Sequence, residues 1–175
     1  MWKLKRTVNC GELRLADVGK TVVLNGWVDV RRDFGNLIFV DLRDRYGKTQ
    51  VLFSPDRHKE VHDQASKLRG ETVIAVKGKV CKRDGDTVNK KIATGEIEID
   101  VTELEILNEA KTPPFEIGDR VNVGEDQRLQ YRYMDLRRPA MQRNIITRHK
   151  IVQVIREYMD ANGFIDIALH SITEI

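Results

Sequence analysis

Five short stretches rich in β-branched and aliphatic residues in the first 107 positions predict strands. Residues 22–30 form the first, bounded by Gly19-Lys20 and the charged Arg31-Arg32-Asp33. The second, 37–43, follows Asp33-Phe34-Gly35-Asn36, whose glycine and asparagine suit the positive-φ positions of a tight reversal. With the third, 49–53, entered through Asp44-Arg45-Tyr46-Gly47-Lys48, they make an antiparallel meander. A helix over 57–68 comes next: Pro55 and Asp56 open it, Val61, Ala65 and Leu68 share one face, and Gly70 stops it. Residues 72–80 and 97–107 are the fourth and fifth strands, the fifth alternating almost without fault, with a polar loop over 82–94 between them. Thr7 to Cys10 reads as a short edge strand, and 13–18 as one or two helical turns closed by Gly19.

Past residue 107 the rhythm changes. Pro113-Pro114 blocks helix and sheet alike, and 108–138 reads as a linker. Within it, 129–138 is dense in tyrosine and arginine, either an RNA contact or a helical connector whose arginines pair with nearby acids. Pro139 suits the first turn of a long helix reaching Ala161, with Ile145, Val152, Ile155 and Met159 in one apolar stripe and Ile151, Val154 and Tyr158 widening it. Asn162-Gly163 ends it, and a short strand is expected from Phe164. A helix this apolar with one strand beside it is an incomplete domain whose face needs a cover.

The order strand, strand, strand, helix, strand, strand is that of the five-stranded OB barrel. The predicted fold is therefore mostly β: an OB barrel over 1–107 with one helix between strands three and four, a linker over 108–138, and the helix-and-strand start of a second domain over 139–175. OB barrels bind oligonucleotides on their second and third strands and long loops. Alternation puts Phe39, Asp41 and Arg43 on the face opposite Ile38, Val40 and Leu42. A phenylalanine among charges either covers the end of a core or offers a stacking platform for an unpaired base. Arg31-Arg32, Arg43 with Arg45, and Lys82-Arg83 are either phosphate contacts or a solvated rim.

Composition narrows the picture only modestly. The chain of 175 residues is 41% hydrophobic and 33% charged with net charge +3, an ordinary soluble polypeptide. Residues 1–107 hold 20 basic against 17 acidic side chains and 108–175 hold 10 against 10, too small an excess for binding by bulk charge. No membrane span and no secretory leader is expected, and two cysteines, Cys10 and Cys81, define neither a disulfide framework nor a zinc site, so a reducing cytoplasm is the default. His58 and His62 stand four apart without a third ligand and are expected to face solvent. No P-loop, metal constellation or activated nucleophile is visible, so no catalytic residue is assigned.

Several of these stretches resemble one family. Asn25-Gly26-Trp27-Val28, Leu37-Ile38-Phe39-Val40-Asp41-Leu42-Arg43-Asp44-Arg45, Thr49-Gln50-Val51-Leu52-Phe53 and Arg128-Leu129-Gln130-Tyr131-Arg132-Tyr133-Met134-Asp135-Leu136-Arg137-Arg138-Pro139 look like the amino-terminal part of a bacterial-type aspartyl-tRNA synthetase, a class II enzyme. Cys10-Gly11-Glu12-Leu13-Arg14-Leu15 and Lys91-Ile92-Ala93-Thr94-Gly95-Glu96-Ile97-Glu98 agree, and the match reaches Ile167. The resemblance implies that the barrel binds the anticodon loop of an aspartate tRNA. It places Phe39 under the central uracil, Gln50 at that base's edge, Arg32 near the anticodon bases and Glu98 near a flanking base. Arg31, Lys82 and Arg83 are the implied backbone contacts, whereas Cys81 departs from the polar or basic residue expected there.

Residues 139–167 resemble the first class II motif, which forms a homodimer interface. The sequence then departs from the pattern at Ala168-Leu169-His170, with His170 where the motif's proline is expected. The second and third motifs, which hold ATP and aspartate, are absent, so this chain alone is expected to be inactive. Its parent would form aspartyl-adenylate with ATP and magnesium and charge tRNA; this chain itself is expected to need no cofactor. The alternative is a free-standing OB-fold paralogue that binds single-stranded nucleic acid without aminoacylation.

Overall fold

The computed structural model describes residues 3–119 and 122–167 in two compact units, 1–113 and 114–175. In the first, β1 (Thr21–Asp33), β2 (Ile38–Arg43), β3 (Lys48–Phe53), β4 (Val73–Lys82) and β5 (Ile97–Asn108) close into a barrel in the order β1-β2-β3-β5-β4. Helix α1 (Pro55–Ala65) links β3 to β4. All pairings are antiparallel except β3 with β5, where Val51 faces Ile99 and Leu52 faces Asp100. This is the predicted OB barrel.

Strand β1 closes the barrel because it serves two neighbours. Its first half, to Trp27, pairs with β4, and its second half, to Asp33, pairs with β2. A register shift between Val28 and Val30 bends it between the two. Such a turn brings backbones too close for side chains: a Cβ on Gly26 would run into the carbonyl of Arg43, and one on Gly78, beside a β4 bulge, into that of Asp100. The inward residues are apolar. Leu24, Val28, Ile38, Leu42, Ile74 and Ile97 are fully buried, each such side chain contributing about 1.5–3 kcal/mol. Val61 packs against the core and Ala65 and Leu68 are buried, as the predicted helix face requires.

Polar groups seal the barrel wall. Asp44, in the β2–β3 turn, accepts the N–H groups of Tyr46 (2.7 Å) and Gly47 (3.0 Å), and its other oxygen accepts that of Cys10 (2.8 Å). The Thr49 hydroxyl donates to the Cys10 carbonyl, so the amino-terminal segment is stitched down from both sides. Burial pushes the Cys10 thiol far above its usual value, with the Asp44 carboxylate reinforcing the shift. The expected edge strand over Thr7 to Cys10 does not form. Only Thr7 reaches β1, its N–H donating to the Val23 carbonyl (2.9 Å) and its hydroxyl oxygen accepting from the Val23 N–H (2.9 Å). Residues 13–18 supply one short helical turn, Leu15–Asp17.

Helix α1 corrects another expectation. The backbone breaks at His58 (φ −146°, ψ 77°), so His58 and His62 do not sit one turn apart on a regular helix. His58 faces solvent, but the His62 side chain is only 14% exposed and its Nε2 is buried.

The second unit contains α2 (Glu125–Gln130), α3 (Arg132–Asp135) and α4 (Pro139–Ala161). The stretch expected as linker is thus divided: 108–113 belong with the barrel, and the rest includes the short helices α2 and α3. Asp135 is fully buried and accepts from Arg132 (2.5 Å) and Arg138 (3.2 Å), so these arginines behave as the connector alternative requires. Arg138 has no oxygen with which to cap α4, and Asp119 does it instead: one oxygen accepts the Ala140 N–H (2.9 Å), the other Arg143 (3.3 Å). The predicted apolar stripe is present on α4, with Ile145, Ile151, Val154, Ile155 and Tyr158 exposed. Residues 164–167 form no strand, since the described residues of this unit offer no strand to pair with. The tail expected to diverge, 168–175, lies outside the described residues.

Two outcomes are expected. Gly78→Ala should destabilise the barrel by about 1–3 kcal/mol in denaturant titration, because backbone blocks the new methyl. An unchanged midpoint would contradict the close approach. The Ala140 N–H and then Arg143 hold the Asp119 carboxyl below its ordinary range. A folded value below the unfolded one gives stabilisation that is complete above the unfolded value and fades as pH falls through the folded one. Amide exchange at Ala140 should therefore speed up, beyond its intrinsic pH trend, below the ordinary carboxylate range, and Asp119→Ala should abolish that extra step.

Candidate nucleic-acid interface

The outward face of β1, β2 and β3 carries the candidate site. Phe39 is half-buried on β2, paired with Arg32 of β1 on one side and Leu52 of β3 on the other, while its neighbours Ile38 and Val40 point into the core. Asp41, two residues on, shares its face and lies opposite Gln50. Arg32 donates to both oxygens of Asp41 (3.0 and 2.7 Å) and to the Gln50 amide oxygen (3.2 Å). The amide nitrogen of Gln50 donates to Glu98 of β5 (2.8 Å). Asp41, Arg32, Gln50 and Glu98 are therefore one continuous chain of hydrogen bonds, charge-assisted at each link.

A cleft of about 410 Å³ opens over this network. Phe39, Arg32, Gln50 and Glu98 line it, together with Lys82 and Arg83 from the end of β4. The Arg83 N–H donates to the Glu96 carbonyl (2.9 Å), which ties the start of the 82–94 loop to the strand that carries Glu98. Lys82 and Arg83 bring positive charge to a cleft that also holds the Phe39 ring, the Asp41-paired Arg32 and the carboxylates of Asp84 and Glu98; cations beside an aromatic ring suit a single strand of nucleic acid.

Six of the seven residues singled out in the sequence thus meet at one cleft, and Arg31 does not. Successive strand residues point to opposite faces, so placing Arg32 toward Phe39 turns Arg31 away. Its guanidinium donates to the Ser66 carbonyl just past α1 and lies 3.7 Å from Asp33. Arg43 is likewise occupied, paired with Asp29 (3.0 Å) and with Glu71, and Arg45 sits over the Tyr46 ring at 5.8 Å. Cys81 does not line the cleft; burial, with Asp100 and Glu98 reinforcing it, raises its thiol above the usual value.

Two contributors were not assigned a role from the sequence. Phe34, in the β1–β2 turn, is 70% exposed and meets Phe39 edge to face, centroids 5.9 Å apart at 76°. The turn is held by Phe34 N–H to the Leu37 carbonyl (3.0 Å) and Gly35 N–H to Asp33 (3.0 Å), so the second ring is presented rather than loose. Asp41 is the other; its alternation with Phe39 was the only available signal.

Comparison with known proteins bears on this face directly. Residues 22–107 match a family model described as an OB-fold nucleic acid binding domain, and 124–174 match one described as tRNA synthetases class II (D, K and N), a match that runs on across the tail expected to diverge. The chain is 57% identical over 164 residues to an aspartate-tRNA(Asp/Asn) ligase of Caldanaerobacter subterraneus subsp. tengcongensis, covering 94% of this chain. It is 55% identical over 173 residues to the protein of the same name from Desulfotalea psychrophila, covering 99% of this chain. It spans 28% of the length of each. Among solved structures, an aspartyl-tRNA synthetase from Entamoeba histolytica superposes with a TM-score of 0.83 at 24% identity, over 95% of this chain and 39% of that one, and shows the shared fold. Similarity running from the barrel into the class II segment does not favour a free-standing OB module. The chain belongs to the aspartyl-tRNA synthetase family, which it matches through an OB-fold nucleic acid binding domain and the class II segment that follows it.

Proposed function

We propose that the cleft on β1, β2 and β3 reads the anticodon loop of an aspartate tRNA, with the central uracil stacked on Phe39 and its edge on Gln50. The observation that carries this is a half-exposed ring beside an amide whose partners are already fixed. A ring accepts any base by its π-face, while an amide offers both a donor and an acceptor and so can discriminate. Arg32 lies close enough to serve the anticodon bases and Glu98 a flanking base, with Lys82 and Arg83 contacting phosphates. The related ligases carry both Asp and Asn in their names. The anticodons of aspartate and asparagine tRNAs share a central uracil, so contacts to that base serve either tRNA.

The whole protein is proposed to activate aspartate with ATP and magnesium and to transfer it to tRNA in the cytoplasm. Among the described residues no cluster of three or more His, Cys, Asp or Glu could hold a metal ion. Pairing of two subunits through the apolar stripe of α4 is part of the same proposal, supported by the exposure of Ile151, Val154, Ile155 and Tyr158.

Phe39→Ala should weaken binding to an anticodon stem-loop, measured by fluorescence titration at one salt concentration, by about 1–3 kcal/mol with little change in melting temperature. Unchanged affinity would remove the stacking role. In sedimentation, the chain should associate with rising concentration, and Val154→Glu should return it to a monomer. A wild-type monomer at all concentrations would remove the α4 interface.

A further inference from the structure

We propose that Asp41 is a positioning residue that, through Arg32 and together with Glu98, locks the side-chain amide of Gln50 in one orientation and thereby makes the site distinguish uracil from cytosine. This rests on the proposal that the cleft reads the central base. An amide can turn by half a revolution and exchange its oxygen and nitrogen at almost no intrinsic cost, and a group free to do so is a poor reader. Around Gln50 the turn is opposed on both sides. Arg32 has only donors to offer and faces the oxygen, while the Glu98 carboxylate has only acceptors and faces the nitrogen. Turning the amide would set nitrogen against guanidinium and oxygen against carboxylate. Asp41 never reaches the base edge in this scheme. It holds Arg32 by two bonds, and a half-exposed guanidinium without that anchor is free to swing toward solvent or phosphate.

Gln50 retains one N–H and one lone pair after serving its two partners, in a fixed spatial order. Gln50 is 5% exposed and lines the cleft, so little of it beyond that order is open to a base. Along its pairing edge uracil offers an acceptor, O4, beside a donor, N3–H. Cytosine offers a donor, the N4 amino group, beside an acceptor, N3. The two orders are mirror images, so an amide locked for one is wrong for the other, and an amide that turns freely takes both. Discrimination thus belongs to the four-residue chain and not to Gln50 alone.

The test is titration of the full chain, at one salt concentration, with two RNA hairpins that share an anticodon stem-loop sequence and differ only in a central uracil or cytosine. The wild type should prefer uracil. Asp41→Asn should reduce that preference by about tenfold, mainly by tightening binding of the cytosine hairpin, the scale of one bidentate base contact. Glu98→Gln should act in the same direction from the other side of the amide, which keeps the test open if Asp41→Asn fails to fold. Adding Asp41→Asn to Gln50→Ala should change the preference no further. An unchanged preference, or equal weakening of both hairpins, in a folded variant would overturn the positioning role. Phe39→Ala in the same titration separates the two levels: if it costs affinity while Asp41→Asn and Glu98→Gln leave the preference intact, only the locking is wrong. If it costs none, the reading of the cleft itself fails.

Discussion

Closure of the barrel through one shared strand is the constraint on which the rest depends. Because β1 gives its first half to β4 and its second half to β2, every strand has two neighbours and each residue is committed to an inward or an outward face. The inward set is aliphatic with Phe53; the outward set is free to carry charge. Closure demands the bulge after Val28 and the close backbone approaches at Gly26 and Gly78.

The outward face then does with hydrogen bonds what the inward face does with packing. Arg32 could have been a loose surface cation, and Gln50 a floppy amide. Cross-strand pairing sets Asp41 opposite Gln50, Arg32 reaches both, and the parallel step from β3 to β5 brings Glu98 to the remaining amide group. Each member is satisfied by its neighbours, so the polar chain beneath Phe39 is rigid where an unpaired set would be mobile. A surface of this kind is preorganised in the free protein.

The second unit is built on a different economy. Charge satisfies its short helices, through Asp135 between Arg132 and Arg138 and Asp119 at the start of α4, while its largest helix keeps an apolar face open. That face leaves Ile145, Ile151, Val154, Ile155 and Tyr158 exposed among the described residues.

Much of this was fixed locally. The five strands, the face of α1 through Val61, Ala65 and Leu68, the long helix from Pro139 and the outward direction of Phe39 all follow from periodicity and turn chemistry, which act over a few residues. Six of the residues singled out in the sequence did converge on one cleft. What the sequence could not decide were choices settled by partners distant in the chain. Residues 164–167 have strand-like composition but no strand among the described residues of their unit to pair with, whereas Thr7 does meet β1 but Asn9 and Cys10 then turn to Glu12 and Asp44, so neither stretch became a strand. His62 is withdrawn from solvent by packing that its helical spacing does not encode. Arg31 and Arg32 are identical side chains in adjacent positions, and only the register of β1 on β2 sends one to Ser66 and the other to Asp41 and Gln50. The orientation of the Gln50 amide belongs to the same class, since Glu98 lies 48 residues away and Arg32 lies 18. Local sequence chose the elements and their faces; closure of the barrel chose which side chains meet.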